Sequence, residues 1–300
     1  MKKTIKFPRF DAELNTDVCD AYNNADLTLT MKLGFTQINP AAGAASGTYH
    51  DYGKVTKPTR KIVKWTAGEW ATWKANFVAS AQAFWNGRFW LINDAGSFLQ
   101  TVGTQTYVPN IFCKVKVTAH DGAAAGNHHK IDVVRLDSTE TWFGSHSTLY
   151  DSLDTKSVSK GTDTAGNPIM QRAHVHEFGH LLGLGHVDEG KAHCPTTGNT
   201  NASACYGVAD DDKNSVMGSG MTRRLEHAEP WRTVIRSFAV EEVLLLKKPA
   251  KSLYLPFHLM LLAPVTVFAT WPAKDKRHYP RTPEEAKAGT LITTRPVRPA

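Results

Sequence analysis

Three histidines and one glutamate carry the strongest chemical signal in this chain. The run His176-Glu177-Phe178-Gly179-His180-Leu181-Leu182-Gly183-Leu184-Gly185-His186 has the form H-E-x-x-H-x-x-G-x-x-H. On a helix, His176 and His180 lie one turn apart on the same face. Both imidazoles can then reach one ion at about 2.0–2.1 Å. Gly183 comes a turn later and can take a positive φ, so the chain can leave the helix sharply and swing His186 back as a third ligand. Three neutral nitrogens suit Zn²⁺ and leave a fourth position open for water. Glu177 follows the first ligand and points toward that position, where it can accept a proton and pass it to a leaving group. Val175, Phe178 and Leu182 form a separate apolar stripe, so one face can pack while the other holds metal. The competing reading is a helix of solvated histidines, and three clustered imidazoles without a ligand or partners are costly.

A second segment, Asn214-Ser215-Val216-Met217-Gly218-Ser219-Gly220, lies downstream. The zinc motif and this segment together resemble the metzincins, and HEFGHLLGLGH looks most like matrixins and related bacterial metzincins. The resemblance spans roughly residues 58–240. It implies a zinc-dependent endopeptidase acting on protein or peptide substrates, with Glu177 as general base and His176, His180 and His186 as ligands of one catalytic Zn²⁺. Met217 would form an apolar floor beneath the histidines, as support rather than ligand. The implied fold is α+β: a twisted mixed sheet backed by helices, an active-site helix, and a small C-terminal subdomain with the Met-turn and a final helix. An edge strand ahead of the zinc helix would take substrate as an added strand, and Gly218 to Trp231 would wall the pocket beyond the scissile bond. Several features depart from the family. Val187 follows the third histidine, no Tyr stands two residues after Met217, and the matrixin Cys-switch is missing. Cys19 or Asp20 is a candidate cap for the metal in its place. Two other functions compete: a zinc hydrolase of a non-peptide amide, and a non-catalytic interaction module with structural zinc. Structural sites are usually four-coordinate and Cys-rich, unlike this one.

These residues need elements to position them. Lys61 to Trp65 reads as a strand. Thr66 with Glu69 makes a capping box for a helix over 67–86, with Trp70, Trp73, Phe77, Ala81 and Phe84 at helical spacing and Asn86-Gly87 as the stop. Ile111 to Thr118 alternates as a half-buried strand, and Ile131 to Leu136 is a second apolar strand. Thr139 to Tyr150 reads as an edge strand or loop. Asn167-Pro168 predicts the start of the zinc helix, running to Leu182. A last helix is expected over Thr222 to Phe238. Residues 1–50 are weakly patterned and end in the Ala/Gly-rich stretch Pro40 to Gly47, a linker or loop; residues 1–57 form an N-terminal segment of unassigned role. Residues 58–240 form the catalytic domain, and 241–300 a C-terminal extension that is partly loose, its Pro- and charge-rich end at Lys274 to Ala300 above all.

Composition narrows the partners. The chain has 300 residues and a net charge of +7, with 41% hydrophobic and 21% charged residues, values that exclude wholesale disorder. Lys and Arg are dispersed, so nucleic-acid binding is not expected. The apolar run Leu255 to Trp271 contains Pro256, His258 and Pro264 and reads as buried strand, not as a membrane span. His174, some 200° round the helix from His176, should miss the ion, while His128, His129, His146 and His193 read as solvated loop residues. His193-Cys194 is a weaker option for a second metal. Calcium at Asp210-Asp211-Asp212 is an option without support, since the spacing is not that of an EF-hand loop. Cys19 and Cys113 stand alone; Cys194 and Cys205 are either a disulfide or two reduced thiols. The N-terminus has no apolar h-region of a Sec signal. Export by a signal-independent route, as for an effector or toxin with a cognate inhibitor or immunity protein, is favoured over a cytoplasmic protease. Oligomeric state is left open.

Overall fold

The computed structural model describes residues 2–15, 25–92, 100–102, 105–107, 110–122, 124–195, 201–245 and 266–268. The chain opens with strands β1 (Lys2–Lys6), β2 (Asp11–Asn15) and β3 (Ala25–Ile38), then a hairpin of β4 (Ser46–His50) and β5 (Thr59–Val63). Helix α1 (Ala67–Trp85) leads to β6 (Phe89–Ile92), the short pair β7 (Gln100–Val102) and β8 (Gln105–Tyr107), and the long β9 (Asn110–Asp121). Next come β10 (His129–Val134), β11 (Leu149–Asp151), and the hairpin β12 (Ser157–Thr162) with β13 (Pro168–Arg172). Helices α2 (Ala173–Leu182), α3 (Asp210–Asn214) and α4 (Glu229–Leu245) follow, and β14 (Thr266–Phe268) closes the order. This is an α+β architecture with one mixed sheet and few helices.

The main sheet is organised around β3. One side of β3 pairs in parallel with β9, from Ala25 opposite Ile111 to Phe35 opposite Asp121. Its other side is shared, with β2 antiparallel along the first half and β10 parallel along the second. Leu27, Leu29, Met31, Leu33 and Phe35 alternate inward and are essentially solvent-free, the period-2 pattern of a strand with a buried face. Ala25–Ile38, read from the sequence as part of an N-terminal segment, is the middle of the main sheet. Its parallel partners lie far along the chain, so local composition did not reveal it.

Helix α1 starts at the expected capping box. Thr66 Oγ1 accepts from the Glu69 amide, and the Glu69 carboxylate accepts from the Thr66 amide. Trp70, Trp73, Phe77 and Ala81 are buried as the spacing predicts, but the last inward position is Trp85; Phe84 is half-buried, with Arg223 over its ring. Phe35 meets Trp73 and Phe77 edge-on, at 5.6 and 5.2 Å between ring centroids, the arrangement the ring quadrupoles favour. Beyond Cys113, β6 no longer covers β9, and the amides of Val115 and Val117 donate instead to Asn86 Oδ1 and Gln82 Oε1. The helix is thus tied to the sheet at the end nearest α2.

The helix carrying His176 and His180 begins at Ala173, not at Pro168. Residues 168–172 are strand β13, with Ile169 and Gln171 buried and their neighbours exposed. Asn167 closes the hairpin turn instead of capping a helix: its amide and side chain donate to the Asp163 carboxylate, and Gly166 takes φ +84°. An Asn-Pro pair suits either a turn or a helix start, and the alternation that follows decides for the strand. Similarly, the last helix begins later than expected, after a 3₁₀ turn at Leu225–Ala228; Pro230 then sits in its first turn, where no amide is needed. Thr139 to Tyr150 is largely loop, ending in β11. Of the apolar run 255–271, Thr266–Phe268 pairs with β6; its remainder and residues 274–300 lie outside the described residues. No described helix is long and apolar enough to cross a membrane.

Truncating Leu29, fully buried in β3, should cost about 2–5 kcal/mol. Urea unfolding of Leu29→Ala measures this, and a loss below about 1 kcal/mol would show that residues 25–38 do not belong to the core.

Candidate metal centre

Helix α2 turns two faces in different directions. Val175, Phe178, Leu181 and Leu182 join the core, and Val175 O accepts from Trp85 Nε1 of α1 at 3.2 Å. The other face presents His176 and His180. The helix ends at Gly183, whose φ of +105° lies in the left-handed region. The Gly183 amide donates to His180 O and the Leu184 amide to Gly179 O, each at 3.0 Å, a Schellman ending. Arg9 adds a donor from the β1–β2 turn, its Nη1 lying 2.9 Å from His180 O.

This exit returns His186 to the helix face. The Nε2 atom of His180 lies 3.1 Å from Nε2 of His176 and 3.1 Å from Nε2 of His186. All three ligand atoms fall within 4.8 Å of one another, the one such group among the described residues. Nitrogens about 2.0–2.1 Å from a tetrahedral metal are spaced about 3.3 Å apart, a spacing that the two separations from His180 approach. The ring orientations are fixed from behind. His176 Nδ1 lies 2.7 Å from Val216 O, and His180 Nδ1 2.8 Å from Leu184 O. A carbonyl only accepts, so each Nδ1 carries the hydrogen and each Nε2 turns its lone pair to the shared point. Burial holds both imidazoles below their ordinary pKa, His176 furthest, which keeps them in the neutral, ligating form.

Met217 is buried beneath this group. A Cβ on Gly179, the residue before His180, would run into Met217 Sδ, so the thioether occupies the space that this glycine leaves open. The Val187 amide donates to Met217 O at 3.0 Å, which fastens the segment carrying His186 to the Met217 turn. Gln171, buried in β13, donates from Nε2 to Gly218 O at 2.9 Å and pins the hairpin to the same turn. Sequence reasoning missed this residue; its place as an inward position of a strand became visible only with β13.

The histidines open into a cleft of about 1330 Å³. Glu177 sits on its floor, partly open to the cleft but walled closely enough that desolvation raises its carboxyl to about 7, with Lys160 opposing the shift. A group that titrates near neutrality can both take and return a proton. Tyr206 was also missed: its ring packs 4.0 Å from His186 and 5.7 Å from His176, centroid to centroid, and nothing in its sequence surroundings marks it.

The remaining expectations sort as follows. His174 turns away from the three-histidine cluster, as the helical angle requires: Nδ1 donates to Asp154 O at 2.9 Å and Nε2 meets Ser80 Oγ. Burial lowers its pKa to about 4. Beneath it, burial raises Asp151 to about 6 and pushes Asp154 well up, with the neighbouring Asp151 charge adding to the latter. The solvated-loop reading fails for His128, which is largely buried and accepts the Lys32 amide, and for His129, which opens β10. It also fails for His146, half-buried at the cleft wall, while His193 pairs with Asp188. Cys194 and Cys205 form a disulfide, which removes Cys194 as a thiolate ligand, and Cys113 is buried and free. The three aspartates are not arrayed around a cation: α3 directs Asp210 to Thr164 and Asp212 to Lys191 and Arg224. Cys19 and Asp20 lie outside the described residues.

No protein-family model matches the chain, and no curated protein or solved structure matches it.

Gly179→Ala should destabilise the protein by about 1–3 kcal/mol through overpacking, and Met217→Ala in the same chain should recover part of that loss. Thermal unfolding of the single and double variants tests the contact; strictly additive losses would exclude it. A pH dependence follows from Glu177. Its folded pKa, about 7, lies above the ordinary 4.5, so the folded state holds the extra proton between these values. The associated stability is intact below 4.5 and lost as pH rises through 7. Metal-free Glu177→Gln should therefore match the metal-free wild type at pH about 4 and exceed it by about 3 kcal/mol at pH about 8, read by denaturant titration at both values.

Proposed function

We propose that the chain is a zinc-dependent endopeptidase of metzincin type. The observation that carries this reading is the convergence of three Nε2 atoms, with the Nδ1 atoms of His176 and His180 committed to backbone carbonyls, beside a raised carboxyl in an open cleft. The donor set fits zinc: three neutral imidazoles, no thiolate, and space toward the cleft for a further ligand. Met217 under the histidines and the glycine exit support the family resemblance, as does the mixed sheet behind α1 and α2.

A zinc ion held there would supply Lewis acidity toward a peptide carbonyl and would lower the pKa of a water toward about 7. The chain's own residues do the rest. His176, His180 and His186 would hold the ion, the first two rings aimed by Val216 O and Leu184 O and the backbone after the third fastened to Met217 O. Glu177 accepts the proton of the attacking water at a carboxylate oxygen and delivers it to the departing amine nitrogen, ending in its starting state. The walls of the cleft orient the substrate backbone. The Cys194–Cys205 bridge favours an oxidising compartment, in line with export.

Two substitutions test the reading. Glu177→Ala should retain stoichiometric zinc and lose about 10²–10⁴-fold in peptide hydrolysis, whereas His180→Ala should lose zinc and stability together. Metal analysis and a peptide-cleavage assay report both. Undiminished cleavage by the Glu177 variant would overturn the mechanism, and wild-type protein that takes up no zinc would overturn the site.

A further inference from the structure

The cleft is unevenly charged. Arg9, Lys54, Lys57 and Lys160 line it against only two carboxylates, Glu177 and Glu189. Arg9 is engaged with His180 O, and Glu189 accepts the His186 amide. Lys54, Lys57 and Lys160 are exposed, and none forms an ion pair among the described residues.

The three lysines are presented by built elements. Lys54 and Lys57 sit on the turn after residues 51–53. Asp51, at its root, is 1% exposed; its carboxylate takes Arg60 and the Gly144 amide. Tyr52, next in line, holds φ +59° while its amide donates to Gly144 O at 2.7 Å. A non-glycine residue in the left-handed region persists only where its surroundings enforce it. Tyr52 and Trp142, 38% and 46% exposed with ring centroids 6.4 Å apart, add an apolar shelf to this wall. Lys160 comes from another element. The β12–β13 pairing loses register between Ser159 and Thr162, and such a bulge re-aims side chains. Here it turns Lys160 into the cleft with Glu177. Cations set in a concave, low-dielectric wall concentrate their field on whatever enters.

We propose that this cleft selects acidic protein segments, with Lys54 and Lys57 on one wall and Lys160 above Glu177 receiving Asp or Glu side chains while Tyr52 and Trp142 cover the intervening chain. The proposal rests on the peptide-substrate reading above, and the two can fail separately.

The test uses the full chain with zinc bound and Glu177→Gln to prevent turnover. A rhodamine-labelled Glu-rich peptide is compared with an analogue in which every Glu is Gln, by fluorescence anisotropy at low and high salt. The Glu-rich peptide should bind at least about tenfold tighter at low salt, and the advantage should shrink with added salt. Lys54→Glu with Lys57→Glu, and separately Lys160→Glu, should remove the preference with zinc content and circular dichroism unchanged. The pair Lys116→Glu with Lys130→Glu makes the same change in net charge outside the cleft and should leave the preference in place. Equal affinity for the two peptides, or an equal loss in the outside pair, would overturn the proposal. Cleavage of a mixed peptide library by the zinc-loaded wild type is scored in parallel. Cleavage without selective binding leaves the hydrolase and removes the acidic preference; selective binding without cleavage does the reverse.

Discussion

Everything at this centre depends on aiming three lone pairs at one point. An imidazole on a helix can rotate about two bonds, and its useful nitrogen faces an ion only if the other nitrogen is tied down. Val216 O and Leu184 O do this for the first two rings. Neither carbonyl is an accessory. Leu184 belongs to the very ending that terminates α2, so the bonds that stop the helix also orient its second histidine. Val216 belongs to the turn whose next residue, Met217, fills the notch left by Gly179 and anchors the strand of chain after His186. Helix exit, Met217 turn and histidine geometry are one device, and removing any part loosens the others.

The scaffold behind this device is an aromatic-rich layer. Trp73, Phe77 and Trp85 lie between β3 and α2, and Trp85 reaches the helix backbone itself at Val175 O. Close packing of large rings resists small displacements, which suits a site whose ring nitrogens need tolerances well under an ångström. Against the same layer sit the buried groups His174, Asp151 and Asp154, whose altered proton affinities stem from exclusion of water. Their hydrogen bonds join α1, α2 and the segment after β11, holding the first turn of α2 in place.

The three-histidine cluster was legible from the sequence because it is local. His176, Glu177, His180, Gly183 and His186 fall within one short run, and helical geometry alone relates them. The Thr66–Glu69 box was legible for the same reason. What escaped was settled by distant partners. Leu27, Leu29, Met31, Leu33 and Phe35 alternate at period 2, a strand signal passed over in a segment read as weakly patterned, and nothing nearby reveals that this strand is the middle of a sheet whose parallel neighbours start at Asn110 and His129. Asn167-Pro168 satisfied a local rule for helix starts, but the hairpin partner at Ser157 to Thr162 and the burial of Gln171 against the Met217 turn outweighed it. Tyr206 and Gln171 reach the site only through tertiary folding, as do the lysines of the cleft.

The position of β3 has a kinetic consequence. Its two parallel neighbours must arrive from far along the chain, Ile111 beside Ala25 and Ile131 beside Phe35, so chain entropy is lost before the contacts that compensate for it can form. Such a topology folds slowly. During biosynthesis the N-terminal strands must wait for β9 and β10 to emerge, and the histidine run emerges later still. A ribosome-bound fragment ending before residue 176 lacks His176, His180 and His186, so the three-nitrogen cluster can assemble only after the strands from β1 to β13 have been made.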